Sequence, residues 1–130
     1  KVFKPRYKRM FDLVHQGGAL AWMHSDGMIM EILPDLMEIG LEVLNPQCNC
    51  MDIHLLAKCL RGKMAIAPDI DRQHLLPRGT PDEVREYIRI IHDTFASKSG
   101  GLIYTVGIYD DMPLENCEAV LKAFREFRKS

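Results

Sequence analysis

The segment His24-Ser25-Asp26-Gly27 directly follows an apolar run at residues 19–23 and combines residue types that carry chemistry. An imidazole exchanges protons near neutral pH, and imidazole and carboxylate groups are both ligand types that zinc accepts. The same residue types also form ordinary turns, in which the side chains only satisfy the backbone. The two interpretations differ in whether the surrounding elements bring further polar side chains to His24 and Asp26.

Short apolar runs alternate with segments of helical periodicity, beginning with a helix near Pro5. The runs predict four strands, at residues 19–23, 42–46, 64–67 and 102–106. Strands that alternate with helices form a parallel sheet with right-handed crossovers. Their spacing suits a (β/α) barrel, but a closed barrel needs about eight units and typically about 250 residues. The pattern therefore leaves two possibilities, half of such a barrel or a small open sheet, in a single domain over residues 1–130.

End signals and apolar periodicity predict the helices and their buried faces. Thr80, Pro81 and Glu83 form a capping box at the start of the helix after the third strand. Its predicted core-facing residues are Val84, Ile88, Ile91 and Phe95. The first helix is predicted to bury Tyr7, Met10, Phe11 and Val14, and the last helix Cys117, Val120, Leu121, Phe124 and Phe127.

Composition excludes several classes of protein. Seventeen basic and 18 acidic side chains give a net charge of −1, which provides no broad field for a nucleic acid. The apolar runs are far shorter than the roughly 18 residues that span a bilayer, and the first residues lack the pattern of a signal peptide. The four cysteines have no spacing typical of disulfide scaffolds. We therefore expect a soluble, cytoplasmic protein with reduced thiols, preceded by a further segment because the chain begins at Lys1.

Polar residues are concentrated in the loops after the strands, which a parallel sheet gathers at one edge. These residues are His24, Ser25 and Asp26; Asn45, Gln47, Cys48 and Cys50; Asp69, Asp71, Arg72 and Gln73; and Thr105, Tyr109, Asp110 and Asp111. His24, Asp26 and either Cys48 or Cys50 are ligand types that could bind zinc together. Packing is nevertheless the favoured role of a buried cysteine. Asp69 and Asp71 either act together as a carboxylate pair or divide into a loop cap and a solvated side chain.

Five segments of the chain, taken in order, resemble the carboxyl-terminal half of the uroporphyrinogen decarboxylase superfamily. They are KPRYKRMFDLVHQGG, WMHSDG, IMEILPDLMEIGLEVLNP, DIDRQHLLPRGTPDEVREYI and GLIYTVGIYDDMPLENCEAVLKAF. The resemblance covers nearly the whole chain, and IDRQHLLPRGTPDEV is its most specific part. The superfamily has a TIM-barrel fold and includes decarboxylases and cobamide-dependent methyltransferases that act on thiols. The resemblance implies an α/β fold that is half of a TIM (β/α)8 barrel, with four parallel βα units preceded by a helix.

The resemblance also implies a metal site with altered ligands. In the thiol-directed methyltransferases, a loop of the form H-x-C-G and a later cysteine hold zinc. Here His24 matches the histidine, while Asp26 stands at the first cysteine position and Val106 near the second. In the decarboxylases the last loop resembles G-H-G-x-Y-P-D-M, and Val106 again replaces the histidine. The implied cofactors are zinc at His24 and Asp26 and a corrinoid on a partner protein.

Together these features predict a uroporphyrinogen decarboxylase-like domain of a corrinoid-linked methyltransferase-like enzyme or subunit. The predicted catalytic residues are His24 and Asp26, and the predicted substrate-binding residues are Asn45, Asp71, Gln73 and Tyr109. Two alternatives remain: a non-catalytic half-barrel that serves as a binding or assembly module, and a fragment of a decarboxylase of tetrapyrrole biosynthesis, which is a lyase. Unpaired strand edges and an incomplete core predict a homodimer or association with an amino-terminal half-barrel.

Overall fold

The computed structural model describes residues 2–128 of the chain. These residues form a parallel sheet of three strands and six α-helices. The elements follow in the order α1 (Lys4–Gln16), β1 (Trp22–Ser25), α2 (Leu33–Glu38), β2 (Val43–Pro46), α3 (Ile53–Leu60), β3 (Ala65–Ile66), α4 (Leu75–Arg78), α5 (Pro81–Phe95) and α6 (Leu114–Phe127). Short 3-10 turns lie at Met30–Ile32 and Cys48–Cys50. Within residues 2–128, no helix combines the length and the apolar character needed to span a membrane.

The sheet order β1-β2-β3 determines which side chains meet. Both pairs of strands are parallel, and the register places His24 beside Asn45 and Ser25 beside Pro46. β1 lies further along the chain than the predicted run at residues 19–23, so His24 and Ser25 are strand residues rather than loop residues. The loops that follow all three strands leave the sheet at one edge, which we call the carboxyl edge.

The prediction of half a TIM (β/α)8 barrel with four parallel βα units is wrong. The sheet has three strands, and the predicted fourth strand at residues 102–106 meets it only at a parallel bridge between Leu102 and Ile66. The fold is a small open α/β sheet, the other possibility that the strand spacing leaves.

Two local features explain why the fourth strand does not form. The Tyr104 ring stacks on Phe124 of α6 at 4.8 Å between centroids, and its hydroxyl lies 2.6 Å from Nδ1 of His92 on α5. These contacts hold the segment against helices rather than along a strand. The second feature is Pro68: Ile66 bonds to this segment through Gly101 O and Ile103 N–H, but Pro68, the next residue on the same side of β3, has no N–H group to continue that ladder.

Helix α5 matches its sequence prediction in start and in buried face. The side chain of Thr80 accepts a hydrogen bond from the Glu83 backbone N–H, and the Glu83 carboxylate accepts one from the Thr80 N–H at 2.7 Å. All four predicted core residues, Val84, Ile88, Ile91 and Phe95, are buried. Each such side chain stabilises the fold by about 1.5–3 kcal/mol relative to exposure.

The core consists of two clusters of buried side chains joined by α5. The first cluster includes Leu44 of β2 and Leu56 of α3, together with residues of α1 and α2. The second includes Val120 of α6 and Leu76 of α4. Tyr87 of α5 packs against both clusters, so α5 connects the sheet to the last helix.

The predicted buried faces of α1 and α6 are only partly correct. On α1, Phe11 is buried and Val14 is half-buried, whereas Tyr7 and Met10 are exposed. On α6, Val120 is buried, Cys117, Phe124 and Phe127 are half-buried, and Leu121 is exposed. On α1 and at its N-cap, Phe3, Tyr7, Met10 and Leu13 are exposed, and we call these four residues the α1 apolar face.

Candidate functional site at the carboxyl edge

Polar side chains from the ends of all three strands are in contact at the carboxyl edge. Three hydrogen-bonded pairs span 21, 46 and 26 positions of sequence: His24 with Asn45, Asp26 with Arg72, and Gln47 with Gln73. We call these six residues, together with Asp69, the edge site. The sheet topology therefore gathers residues that are distant in the sequence into one polar cluster.

Asn45 connects His24 to the backbone that follows β3. Its Nδ2 donates a hydrogen bond to the Ala67 carbonyl oxygen, and its Oδ1 lies 2.8 Å from Nδ1 of His24. The contact follows from the strand register, which sets Asn45 directly beside His24. The His24 side chain is 43% exposed, so the ring is oriented and yet accessible to a ligand.

Arg72 bridges two carboxylates that come from different loops. One oxygen of Asp26 lies 3.1 Å from Arg72 Nη2 and 3.3 Å from His24 Nε2. Arg72 Nη1 lies 3.6 Å from Asp69 Oδ2. Because Asp26 is well exposed, its ion pairs contribute only about 0–1 kcal/mol each to stability. Their main effect is on the placement of charge at the edge site.

Asp69 is the buried carboxyl group of the edge site, with 9% of its surface exposed. Burial holds the pKa of Asp69 above its usual value of 3.8, although the positive charges of Arg72 and His24 act in the opposite direction. A carboxyl group with a raised pKa retains a proton at higher pH than an exposed one. Burial therefore opposes the ionisation of Asp69, which Arg72 and His24 favour.

Two neighbouring groups remain protonated beneath Asp69. Burial, followed by the charge of Asp69, raises the pKa of Cys48 to about 12. Burial also raises the pKa of Tyr87, with smaller effects from Cys48 and Asp71. Because a thiolate is the reactive form of cysteine, Cys48 is placed for packing rather than for nucleophilic chemistry.

Asp71 caps the turn that leads into α4. Its Oδ1 accepts hydrogen bonds from the backbone N–H groups of Gln73 at 3.0 Å and His74 at 3.1 Å. Of the two interpretations of Asp69 and Asp71, the structure favours a cap at Asp71, but the other carboxylate is buried rather than solvated. A contact of Asp71 with substrate stays a prediction.

Gln47 joins the loops after β1, β2 and β3. Its side chain is buried, its Oε1 accepts a hydrogen bond from Gly27 N–H at 3.0 Å, and its Nε2 donates to Gln73 Oε1 at 3.1 Å. Tyr109 is exposed, and its ring lies next to Gly107. No hydrogen bond or ion pair described for residues 2–128 joins Tyr109 to the edge site, so its predicted substrate contact stays untested.

The donor set at His24 and Asp26 does not fit zinc. Protein zinc sites use at least three protein ligands in a tetrahedral arrangement. Across the described residues, no group of three or more His, Cys, Asp or Glu side chains is placed to hold a metal ion. Arg72 already pairs with the Asp26 oxygen, and Cys50 is turned to Asn49 at 3.7 Å. The positive charge beside Asp26 comes from a guanidinium group.

No protein-family model matches the chain, and no curated protein matches it. The resemblance to the uroporphyrinogen decarboxylase superfamily therefore depends on the sequence segments alone.

Sequence reasoning identified part of the edge site. Of the predicted residues, His24, Asp26, Asn45 and Gln73 lie in contacting pairs at the carboxyl edge. The residues not selected were Asp69, Arg72 and Gln47, although all three lie in the loops that a parallel sheet gathers. The spacing of Asp69 and Arg72, three residues apart and opposite in charge, was the available signal for their ion pair.

Proposed function

We propose that the chain is a uroporphyrinogen decarboxylase-like domain that serves as part of a methyltransferase-like enzyme or subunit and binds a small molecule at the edge site. The observation that supports a binding site most directly is that His24 contacts Asn45 and Asp26 contacts Arg72, so that the ends of all three strands contribute. Open parallel sheets bind ligands outside the carboxyl ends of their strands. The reaction class comes from the sequence resemblance, and the predicted location is the cytoplasm.

Methyl transfer to a thiol requires a group that accepts the thiol proton. In this proposal, the substrate sulfur forms its bond to the methyl group while the S–H proton passes to His24. Asp26, 3.3 Å from His24 Nε2, stabilises the resulting imidazolium. A corrinoid on a partner protein would supply the methyl group and would keep the electron pair of the bond that joined it to the methyl carbon. Since the donor set does not fit zinc, Arg72 and the protonated His24 provide the positive charge that favours a thiolate.

The test uses methylcobalamin as methyl donor and 2-mercaptoethanol as acceptor, with the loss of methylcobalamin followed by absorbance. We expect the chain to exceed the rate without protein, and His24→Ala to lower the increment by about 100-fold or more. The matched control is His54→Ala, which removes an exposed histidine of α3 and leaves the increment unchanged. A rate no greater than that without protein, or an equal rate for His24→Ala, contradicts the proposal.

A second candidate function is a non-catalytic assembly module. It is favoured by the α1 apolar face, because soluble monomers rarely leave such residues clustered on one helix in contact with water. In this candidate, the face binds the same face of a second copy. Native mass spectrometry tests it: Leu13→Glu should convert a dimer to a monomer, whereas Leu114→Glu, at an exposed site on α6, should leave the dimer intact. A wild-type chain that is monomeric at every concentration rejects this candidate.

A further inference from the structure

The orientation of the Asn45 amide is determined by its backbone partner. A carbonyl oxygen only accepts hydrogen bonds, so the Asn45 atom that faces Ala67 O must be the amide nitrogen. Asn45 Oδ1 must then be the atom that faces His24 Nδ1 at 2.8 Å. Because an amide oxygen also only accepts, Nδ1 of His24 must carry the hydrogen.

We infer that Asn45 is a positioning residue that holds neutral His24 in the Nδ1–H tautomer and makes Nε2 the proton acceptor of the edge site. The hydrogen bond made by one ring nitrogen sets the protonation of the other. The use of Nε2 in a reaction rests on the proposed function, whereas the tautomer is a property of the folded chain.

The surroundings of Nε2 suit a nitrogen that gains a proton. In neutral His24 its lone pair faces Asp26 Oδ1 at 3.3 Å, and both atoms are then acceptors. Arg72 Nη2 donates a hydrogen bond to the same Asp26 oxygen at 3.1 Å. The Asp26 oxygen is thus already paired with a donor, and His24 Nε2 is the acceptor that can take a proton. The other terminal nitrogen of Arg72, Nη1, lies 3.6 Å from Asp69 Oδ2, so Arg72 is held between two carboxyl groups.

The proton balance of the step is simple. A substrate with an X–H bond transfers its proton to Nε2, and the electron pair of that bond remains on X, which becomes the nucleophile. His24 then carries one positive charge, with both ring nitrogens as donors, Nδ1 to Asn45 Oδ1 and Nε2 to Asp26 Oδ1. The opposite tautomer places two lone pairs against each other at Nδ1 and Asn45 Oδ1.

Nitrogen-15 NMR of the intact chain tests the inference, because protonated and unprotonated ring nitrogens have well separated chemical shifts. Spectra are recorded at alkaline pH, where the ring nitrogen shifts no longer change with pH. We expect His24 to show a protonated Nδ1 and an unprotonated Nε2. The exposed His54 serves as an internal reference and should show the Nε2–H tautomer that free imidazole side chains prefer in water.

Two variants separate the hydrogen bond from mere folding. Asn45→Leu removes the acceptor and should return His24 to the Nε2–H tautomer, whereas Asn49→Ala, at an exposed asparagine after the same strand, should leave Nδ1–H in place. A wild-type His24 in the Nε2–H tautomer overturns the inference, and so does a folded Asn45→Leu chain with an unchanged tautomer. If Asn45→Leu does not fold, the wild-type spectrum still decides it.

The result is distinguishable from the fate of the proposed function. An Nδ1–H tautomer without methyl transfer refutes the reaction and leaves the positioning role of Asn45 intact. Methyl transfer with the Nε2–H tautomer refutes the positioning role and leaves the reaction intact.

Discussion

Asn116 joins α6 to α4 and to the turn between α4 and α5, and the effect of its removal on stability can be calculated. The side chain is fully buried, and its Nδ2 donates to the carbonyl oxygens of Leu76 at 2.9 Å and Gly79 at 2.8 Å. Asn116→Ala loses two hydrogen bonds, each with a net contribution of about 1 kcal/mol, and strands the buried Leu76 carbonyl at a cost of about 1 kcal/mol or more. Asn116 Oδ1 has no partner among the described residues, so its removal relieves a buried unpaired acceptor and offsets about 1 kcal/mol of this loss. We expect the free energy of unfolding to fall by about 2 kcal/mol.

Urea unfolding followed by circular dichroism measures the effect of Asn116→Ala. The matched control is Asn49→Ala, at an exposed asparagine, which should change the free energy of unfolding by less than about 0.5 kcal/mol. Asn116→Asp should be more damaging than Asn116→Ala at neutral pH, because it sets a carboxylate against two carbonyl oxygens. A loss below about 1 kcal/mol for Asn116→Ala refutes the reasoning, since two real hydrogen bonds to otherwise unpaired carbonyls exceed that value.

Three further predictions concern other buried or capping groups. Burial raises the folded-state pKa of Asp69, so the native state loses stability as pH rises from 3.8 through that pKa. Asp69→Asn should therefore stabilise the chain at neutral pH, and unfolding curves below about pH 3.8 should show no such gain. The exposed Cys50 should react with a chromogenic thiol reagent well before the buried Cys48, whose pKa is about 12; equal rates contradict the assigned burial. Thr80→Ala should lower the free energy of unfolding by about 1 kcal/mol through loss of the cap, and a chain of unchanged stability would show that the cap is dispensable.

Helix α5 shows what local sequence determines. Its capping box lies within four consecutive residues, from Thr80 to Glu83, and its buried positions recur at the helical period. Both signals act over short stretches of chain, so they are readable without knowledge of the rest of the fold. The start and the buried face of α5 are accordingly confirmed.

The failed fourth strand shows what local sequence leaves open. Residues 102–106 are apolar enough for a strand, but strand formation depends on a partner that is distant in sequence. Ile66 offers one bridge, after which Tyr104 turns to Phe124 and His92. The prediction of a half-barrel is wrong here because it depends on the number of apolar runs, whereas a strand also needs a neighbouring strand to pair with.

The same distinction applies to the edge site. The contact between His24 and Asn45 was predictable, because polar residues at the ends of adjacent parallel strands lie at the same edge of the sheet. The sequence does not distinguish Asp69 from Asp71 as a site residue, because the two differ in burial and in capping geometry rather than in residue type. The pairing of Arg72 with Asp26, 46 positions away, depends on loop conformation and has no local signature.

In the site at the carboxyl edge, Arg72 rather than a metal ion balances the charge of Asp26. Native mass spectrometry of the chain, after incubation with zinc and removal of the free ion, tests it most directly. We predict the metal-free mass for the wild-type chain and for His24→Ala alike. One zinc ion retained per wild-type chain, lost on chelation and absent from His24→Ala, would contradict the account.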